Sequence, residues 1–144
     1  RHLKQCIHAG LETTSMIVMD THLWLWWINK DSERLNSERR YLLCSEDVIG
    51  VSAISCFEVA WLQQHERIAL SCPLREWFAL ALGGSGVDLL PISPEVAAQA
   101  VELPEHHRDP QDRMNIATAL VRGAKLMSAD SKFRLYEELR DILA

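Results

Sequence analysis

The chain has 144 residues, enough for one domain with a real hydrophobic core. Its 48% hydrophobic and 24% charged content excludes a disordered chain, and no apolar run approaches the roughly 18 residues needed to cross a bilayer. A net charge of −5 excludes a generic nucleic-acid-coating protein, though not one whose chemistry needs an acidic metal site.

Residues 1–15 are polar, lack periodicity and carry no apolar core of a secretory signal, so we expect an extension outside the fold and a single domain over residues 16–144. The run Met16-Ile17-Val18-Met19 predicts a strand covered on both faces, ending in Asp20. Thr21 can cap the helix that follows. That helix carries Leu23, Trp24, Leu25, Trp26, Trp27 and Ile28, more large apolar side chains than one buried stripe uses. It is either a thickly covered core helix or a surface for another chain, and on the second reading we expect a homodimer.

A polar break at 31–34 precedes a second helix at 37–45. Val48 to Val51 reads as the second strand, and Ser52 or Ser55 caps a helix through Cys56, Glu58 and Trp61. Glu58 lies on the stripe Ile54, Glu58, Trp61, Leu62, where a lone carboxylate needs a partner or a cation. An amphipathic helix over 73–82 ends at Gly83-Gly84-Ser85-Gly86, which reads as a turn because no helix N-terminus follows to cradle a phosphate. A third strand is expected over 87–92 and a helix from Ser93-Pro94-Glu95.

Asp109-Pro110 then marks a strong helix start, with Asp112 at the third helical position and Ile116, Ala117 and Leu120 behind it at helical spacing. Free backbone N–H groups there stabilise a carboxylate, and an acid so placed can be no more than a cap. The helix stops near Gly123. Residues 125–130 repeat the first strand's pattern and end in Asp130; residues 139–143 read as either strand or helix. Cys6, Cys44, Cys56 and Cys72 are scattered, with no paired Cys or His spacing, and read as reduced thiols of a cytoplasmic protein.

Strands alternating with helices imply an α/β fold with a central parallel sheet and helices on both faces. Ligands in such sheets bind beyond the carboxyl ends of the strands. Asp20 and Asp130 lie at strand ends, and Glu58 and Asp112 are expected in first turns of helices, so four acids can converge at one edge. Carboxylates within a few ångströms repel one another unless a cation joins them. With oxygen ligands alone, that cation is Mg²⁺ or Mn²⁺, which suits phosphodiester hydrolysis.

The blocks Ile17-Val18-Met19-Asp20-Thr21-His22-Leu23-Trp24, Ser55-Cys56-Phe57-Glu58-Val59-Ala60, His106-His107-Arg108-Asp109-Pro110-Gln111-Asp112-Arg113 and Ser128-Ala129-Asp130 together resemble a PIN domain. More narrowly, they are similar to the VapC-type toxins of toxin–antitoxin pairs. The resemblance runs from Met16 to about Leu143. It implies a three-layer α/β/α fold and a Mg²⁺-dependent endoribonuclease acting on RNA, held silent by a cognate antitoxin. It also implies that Asp20, Glu58, Asp112 and Asp130 are the catalytic metal ligands. Asp109 matches a motif position that we read as a cap.

The chain departs from the family at Asn115, where an apolar residue is usual, and in a poorly marked last strand; residues 1–15 have no counterpart. The alternative reading is a catalytically silent binding module for RNA or protein on the same fold. Such a module would have lost one or more of the four acids. His106 and His107 read as solvated loop residues, Arg113 as a surface charge or a phosphate contact, and Thr21 and Ser128 as groups that orient the ligands.

Overall fold

The computed structural model describes residues 14–104, 108–130 and Leu143. Four strands form one all-parallel sheet: β1 (Met16–Met19), β2 (Val48–Ser52), β3 (Val87–Leu90) and β4 (Lys125–Met127), in the order β3-β2-β1-β4. The central strand β1 pairs Met16 with Val48 on one side and Ile17 with Lys125 on the other. Ser15, placed in the extension by sequence, already takes part: its carbonyl accepts from Val48 N and its hydroxyl from Asp47 N.

The helices are α1 (Thr21–Asn29), α2 (Ser37–Cys44), α3 (Ala53–Gln64), α4 (Leu74–Ala81), α5 (Pro94–Glu102) and α6 (Pro110–Arg122). Alternation along β1 sorts them into two outer layers. Ile17 and Met19 point into a core with Leu23, Trp24, Leu43, Val59 and Trp77 from α1 to α4. Val18 points the other way, joining Ile116 and Ala119 of α6. Small side chains let α5 lie close on α6 through Val96, Ala100 and Ala117. The result is the expected three-layer α/β/α sandwich.

Local chemistry sets the ends. Asp109 caps α6 by accepting from Gln111 N, Pro110 fills the first helical position, and Gly123 (φ 63°) closes the helix in the left-handed conformation that glycine adopts without strain. Asp20, rather than Thr21, is the N-cap of α1, accepting from Leu23 N; Thr21 is the first helical residue. Ser52 caps α3, which puts Glu58 in the second turn and not the first. β3 ends at Leu90, two residues short of expectation, and β4 ends at Met127. Leu143 pairs with Leu126 in parallel, a strand-like contact; residues 131–142 lie outside the described residues.

The surplus of apolar side chains on α1 is absorbed within the chain. Leu23, Trp24 and Leu25 are buried, and Trp26, Trp27 and Ile28 pack partly buried against the same core. Arg34 and Arg39 hold their guanidinium groups 6.0 and 5.6 Å from the Trp26 ring, and Arg40 stands 5.5 Å from Trp27. The large apolar side chains that remain exposed lie elsewhere, Phe57 and Trp61 on α3 among them. So the α1 surface does not carry the expectation of a homodimer. Among the described residues no helix is long and apolar enough to cross a membrane.

Candidate metal centre

β1 leads to β2 through helices on one face, while β3 leads to β4 through helices on the other. The crevice between the carboxyl ends of β1 and β4 is therefore a switch point, where α/β sheets bind ligands. A pocket of about 400 Å³ opens there, lined by Asp20, Glu58, Asp109, Asp112 and Asp130. All four acids singled out in the sequence share this one pocket, and Asp109 joins them while also capping α6.

Asp20 is the best anchored. The β ladder runs on one step past β1, with Asp20 N donating to Met127 O at 3.1 Å. The residue is 8% exposed, and its carboxylate accepts from Leu23 N (3.0 Å), Ser128 Oγ (2.7 Å) and Ala129 N (3.1 Å). Ser128 Oγ in turn accepts from Asp130 N at 2.9 Å, which folds the backbone after β4 around the pocket. Glu58 Oε1 accepts from Thr21 Oγ1 at 2.7 Å, and the Thr21 hydroxyl also hydrogen-bonds the buried Ser55. Thr21 and Ser128 therefore orient two of the acids, as expected.

Asp112 differs. No side-chain hydrogen bond to its carboxylate is found among the described residues, and its pKa is pushed up to about 7. Burial is the main cause, followed by the negative charges of Asp109, Asp130, Glu58 and Asp20.

Arg113 is engaged within the protein rather than left as a free surface charge. Its guanidinium donates to the carbonyls of Ala100, Val101, Leu103 and Pro104 at 2.6–3.2 Å, closing the C-terminal end of α5. Four pocket residues were given no site role from sequence: His22, Trp26, Asn115 and Ala129. A polar residue inside the apolar stretch of α6 is the signal that could have found Asn115. His106 and His107 lie outside the described residues.

The donor set fits a hard divalent cation. Five carboxylates and an amide oxygen line the pocket, no cysteine does, and no Lys or Arg is among its lining residues. The sequence led us to expect the acids within a few ångströms of one another. Among the described residues no three His, Cys, Asp or Glu side chains are gathered closely enough to hold an ion as they stand.

A parallel sheet with acids at this switch point defines a class, and the comparisons agree: the PIN-domain family profile matches residues 17–139, and the chain belongs to that family. Ribonuclease VapC22 of Mycobacterium tuberculosis is 35% identical over 127 residues, spanning 88% of this chain and 95% of that protein. Two solved structures share the fold at under one-fifth identity. One is VapBC2 from Rickettsia felis bound to a DNA fragment from their promoter (TM-score 0.65, 19% identity, 90% of this chain and 97% of that one). The other is a toxin–antitoxin complex from Klebsiella pneumoniae (TM-score 0.59, 17% identity, 89% and 95%).

Proposed function

We propose that this chain is a metal-dependent endoribonuclease, the toxin of a toxin–antitoxin pair, acting in the cytoplasm through a single domain over residues 16–144. Asp20, Glu58, Asp112 and Asp130 are its metal-holding catalytic acids. The observation that carries the reading is the convergence of these acids on one pocket, where burial first and then the charges of the neighbouring acids raise Asp112 to about 7. Such an arrangement is costly for a fold and useful to a cation. The VapC relative supports RNA as substrate and an antitoxin as partner.

A bound Mg²⁺ or Mn²⁺ supplies polarisation of the phosphate and a lowered pKa for water. The protein's part is positioning. Ser128, Ala129 N and Leu23 N fix Asp20 in one orientation, and Thr21 fixes Glu58. Asp112, unanchored by hydrogen bonds, can turn toward positive charge. Setting aside the four acids leaves the remaining charge near neutral, so RNA binding relies on local arginines and the pocket rather than on a broad basic face.

The test is cleavage of a structured RNA pool with Mg²⁺, with Mn²⁺ and with EDTA. We expect cleavage only with metal, and a loss of at least about 100-fold in Asp112→Asn at equal folding. Absent cleavage would favour the silent binding module, and cleavage in EDTA would remove the metal from the reading. The homodimer is a separate part of the proposal: sedimentation over a concentration series should show a dimer, and a strict monomer at high concentration removes it.

A further inference from the structure

Only two buried side-chain oxygens among the described residues lack a hydrogen-bond partner, Glu46 Oε1 and Asn115 Oδ1. Glu46 is satisfied through its other oxygen, which pairs with Lys125 at 2.9 Å. Asn115 has no such outlet for Oδ1. It is 2% exposed, lies in the middle of a tightly packed helix, and lines the acidic pocket. An apolar side chain of the same shape would avoid the cost of an unpaired buried acceptor.

The surroundings define what could pair with it. Asn115 is one helical turn beyond Asp112 and so lies on the same side of α6. The carboxylates around it only accept when ionised, and none of them, Asp112 included, meets Oδ1. The nearby hydroxyl protons of Thr21 and Ser128 are committed to Glu58 and Asp20, and the ring N–H groups of His22 and Trp26, which line the same pocket, do not reach Oδ1. An uncharged acceptor among five acids adds an oxygen without adding repulsion. As the chain stands Oδ1 is buried and meets no donor, so its partner is a donor brought in from outside the protein and met when the side-chain amide turns Oδ1 toward the pocket. The pocket's acids favour one kind: water carried by a hard cation, since Mg²⁺ keeps several of its waters when bound by carboxylates.

We propose that Asn115 is a positioning residue of the metal centre, its Oδ1 accepting a hydrogen bond from the hydration shell of the divalent cation. The inference rests on the metal-centre reading above and assigns a role to a residue outside the four acids. Partners of this kind, one step removed from the ion, orient what the ion carries and affect its affinity.

Mn²⁺ binding followed by electron paramagnetic resonance, paired with thermal melts in EDTA, tests the role without measuring cleavage. Asn115→Leu is expected to bind Mn²⁺ about 10-fold more weakly or worse, while melting in EDTA no lower than wild type. Asn115→Asp keeps an acceptor of the same shape and adds charge. It should retain near-wild-type Mn²⁺ affinity and melt lower in EDTA. Wild-type affinity in Asn115→Leu, or a lower melting point for it in EDTA, overturns the proposal. If Asn115→Leu does not fold, a 10-fold loss of Mn²⁺ affinity in Asn115→Asp overturns it as well. Failure of wild type itself to bind Mn²⁺ instead removes the metal-centre reading, and this inference with it.

Discussion

On the sheet side of the pocket Asp20 accepts from three donors; on the α6 side the Asp112 carboxylate has no hydrogen bond among the described residues and Asn115 carries an unpaired oxygen. The difference follows from where each acid is mounted. A residue just past a central strand is surrounded by backbone N–H groups of the next helix and the neighbouring strand. A residue in a helix's first turn, when another side chain already caps it, projects into whatever space the helix faces. The sheet side is therefore organised by the protein itself, whereas the α6 side is held in unfavourable surroundings by packing. One half of the site is built in advance, and the other is poised for a cation.

Removing the carboxylate on the built side should cost most. Asp20→Ala strands Leu23 N, Ala129 N and the Ser128 hydroxyl and uncaps α1, so metal-free stability should fall by about 3 kcal/mol in urea unfolding. If Asp20 were an unsupported charge like Asp112, the variant would gain stability, and the contrast between the two sides would collapse.

The α6 side depends on packing, and Arg113 is the clamp that keeps α6 on α5. Its planar fork meets four carbonyls, which a single ammonium group cannot reproduce. Arg113→Lys should lower stability by about 2 kcal/mol and leave RNA affinity of the residual folded protein unchanged. A loss of RNA affinity with stability intact would return Arg113 to phosphate binding.

The two sides were also unequally legible in the sequence. The starts of α5 and α6 could be read because Ser93-Pro94 and Asp109-Pro110 cap by chemistry local to the chain. The four acids could be read because each stands at or near an element junction. Neighbouring residues that can both cap could not be separated: Asp20 wins over Thr21 because the strand's exit geometry presents its oxygen to Leu23 N. The surplus on α1 could not be assigned to core or partner surface because the arginines that cover Trp26 and Trp27 lie beyond the helix, at Arg34, Arg39 and Arg40. Arg113 was opaque because its partners are main-chain carbonyls, which carry no side-chain signature. The unpaired oxygen of Asn115 exists only once the pocket is assembled.

On the poised side, Asp112→Asn should act in the opposite sense to Asp20→Ala. It removes a charge crowded by four others and breaks no hydrogen bond among the described residues. After allowance for solvent screening, we expect a gain on the order of 1 kcal/mol in EDTA near pH 8, read as a higher melting temperature. Mg²⁺ should then raise the wild-type midpoint and move the variant less, since a ligand that binds only the folded state stabilises by mass action. A variant that melts lower, with an undiminished Mg²⁺ response, would make Asp112 a structural acid.

The smallest expected effect is a pH dependence of the metal-free protein. In the folded chain the Asp112 carboxyl titrates at about 7, against an ordinary value of 3.8. The folded state therefore holds this proton more tightly than the unfolded state. Above pH 7 the group is ionised in both states, and its burial and repulsion count fully against folding. As pH falls through 7 the folded protein takes up the proton while the unfolded chain stays ionised, so this group's contribution to stability rises until about pH 4. Most carboxylates act in the other direction, so the observable is the difference between wild type and Asp112→Asn, which has no proton to bind at this position. Melts in EDTA at pH 8, 7, 6 and 5 should show the variant's advantage shrinking over that window, by a fraction of a kcal/mol per pH unit once screening is allowed for. With saturating Mg²⁺ the carboxylate is held ionised, and wild type should lose that rise in relative stability as pH falls. An advantage that stays constant from pH 8 to pH 5 in EDTA would mean that Asp112 is ionised at no cost, and that the α6 side of the pocket is as well satisfied as the sheet side.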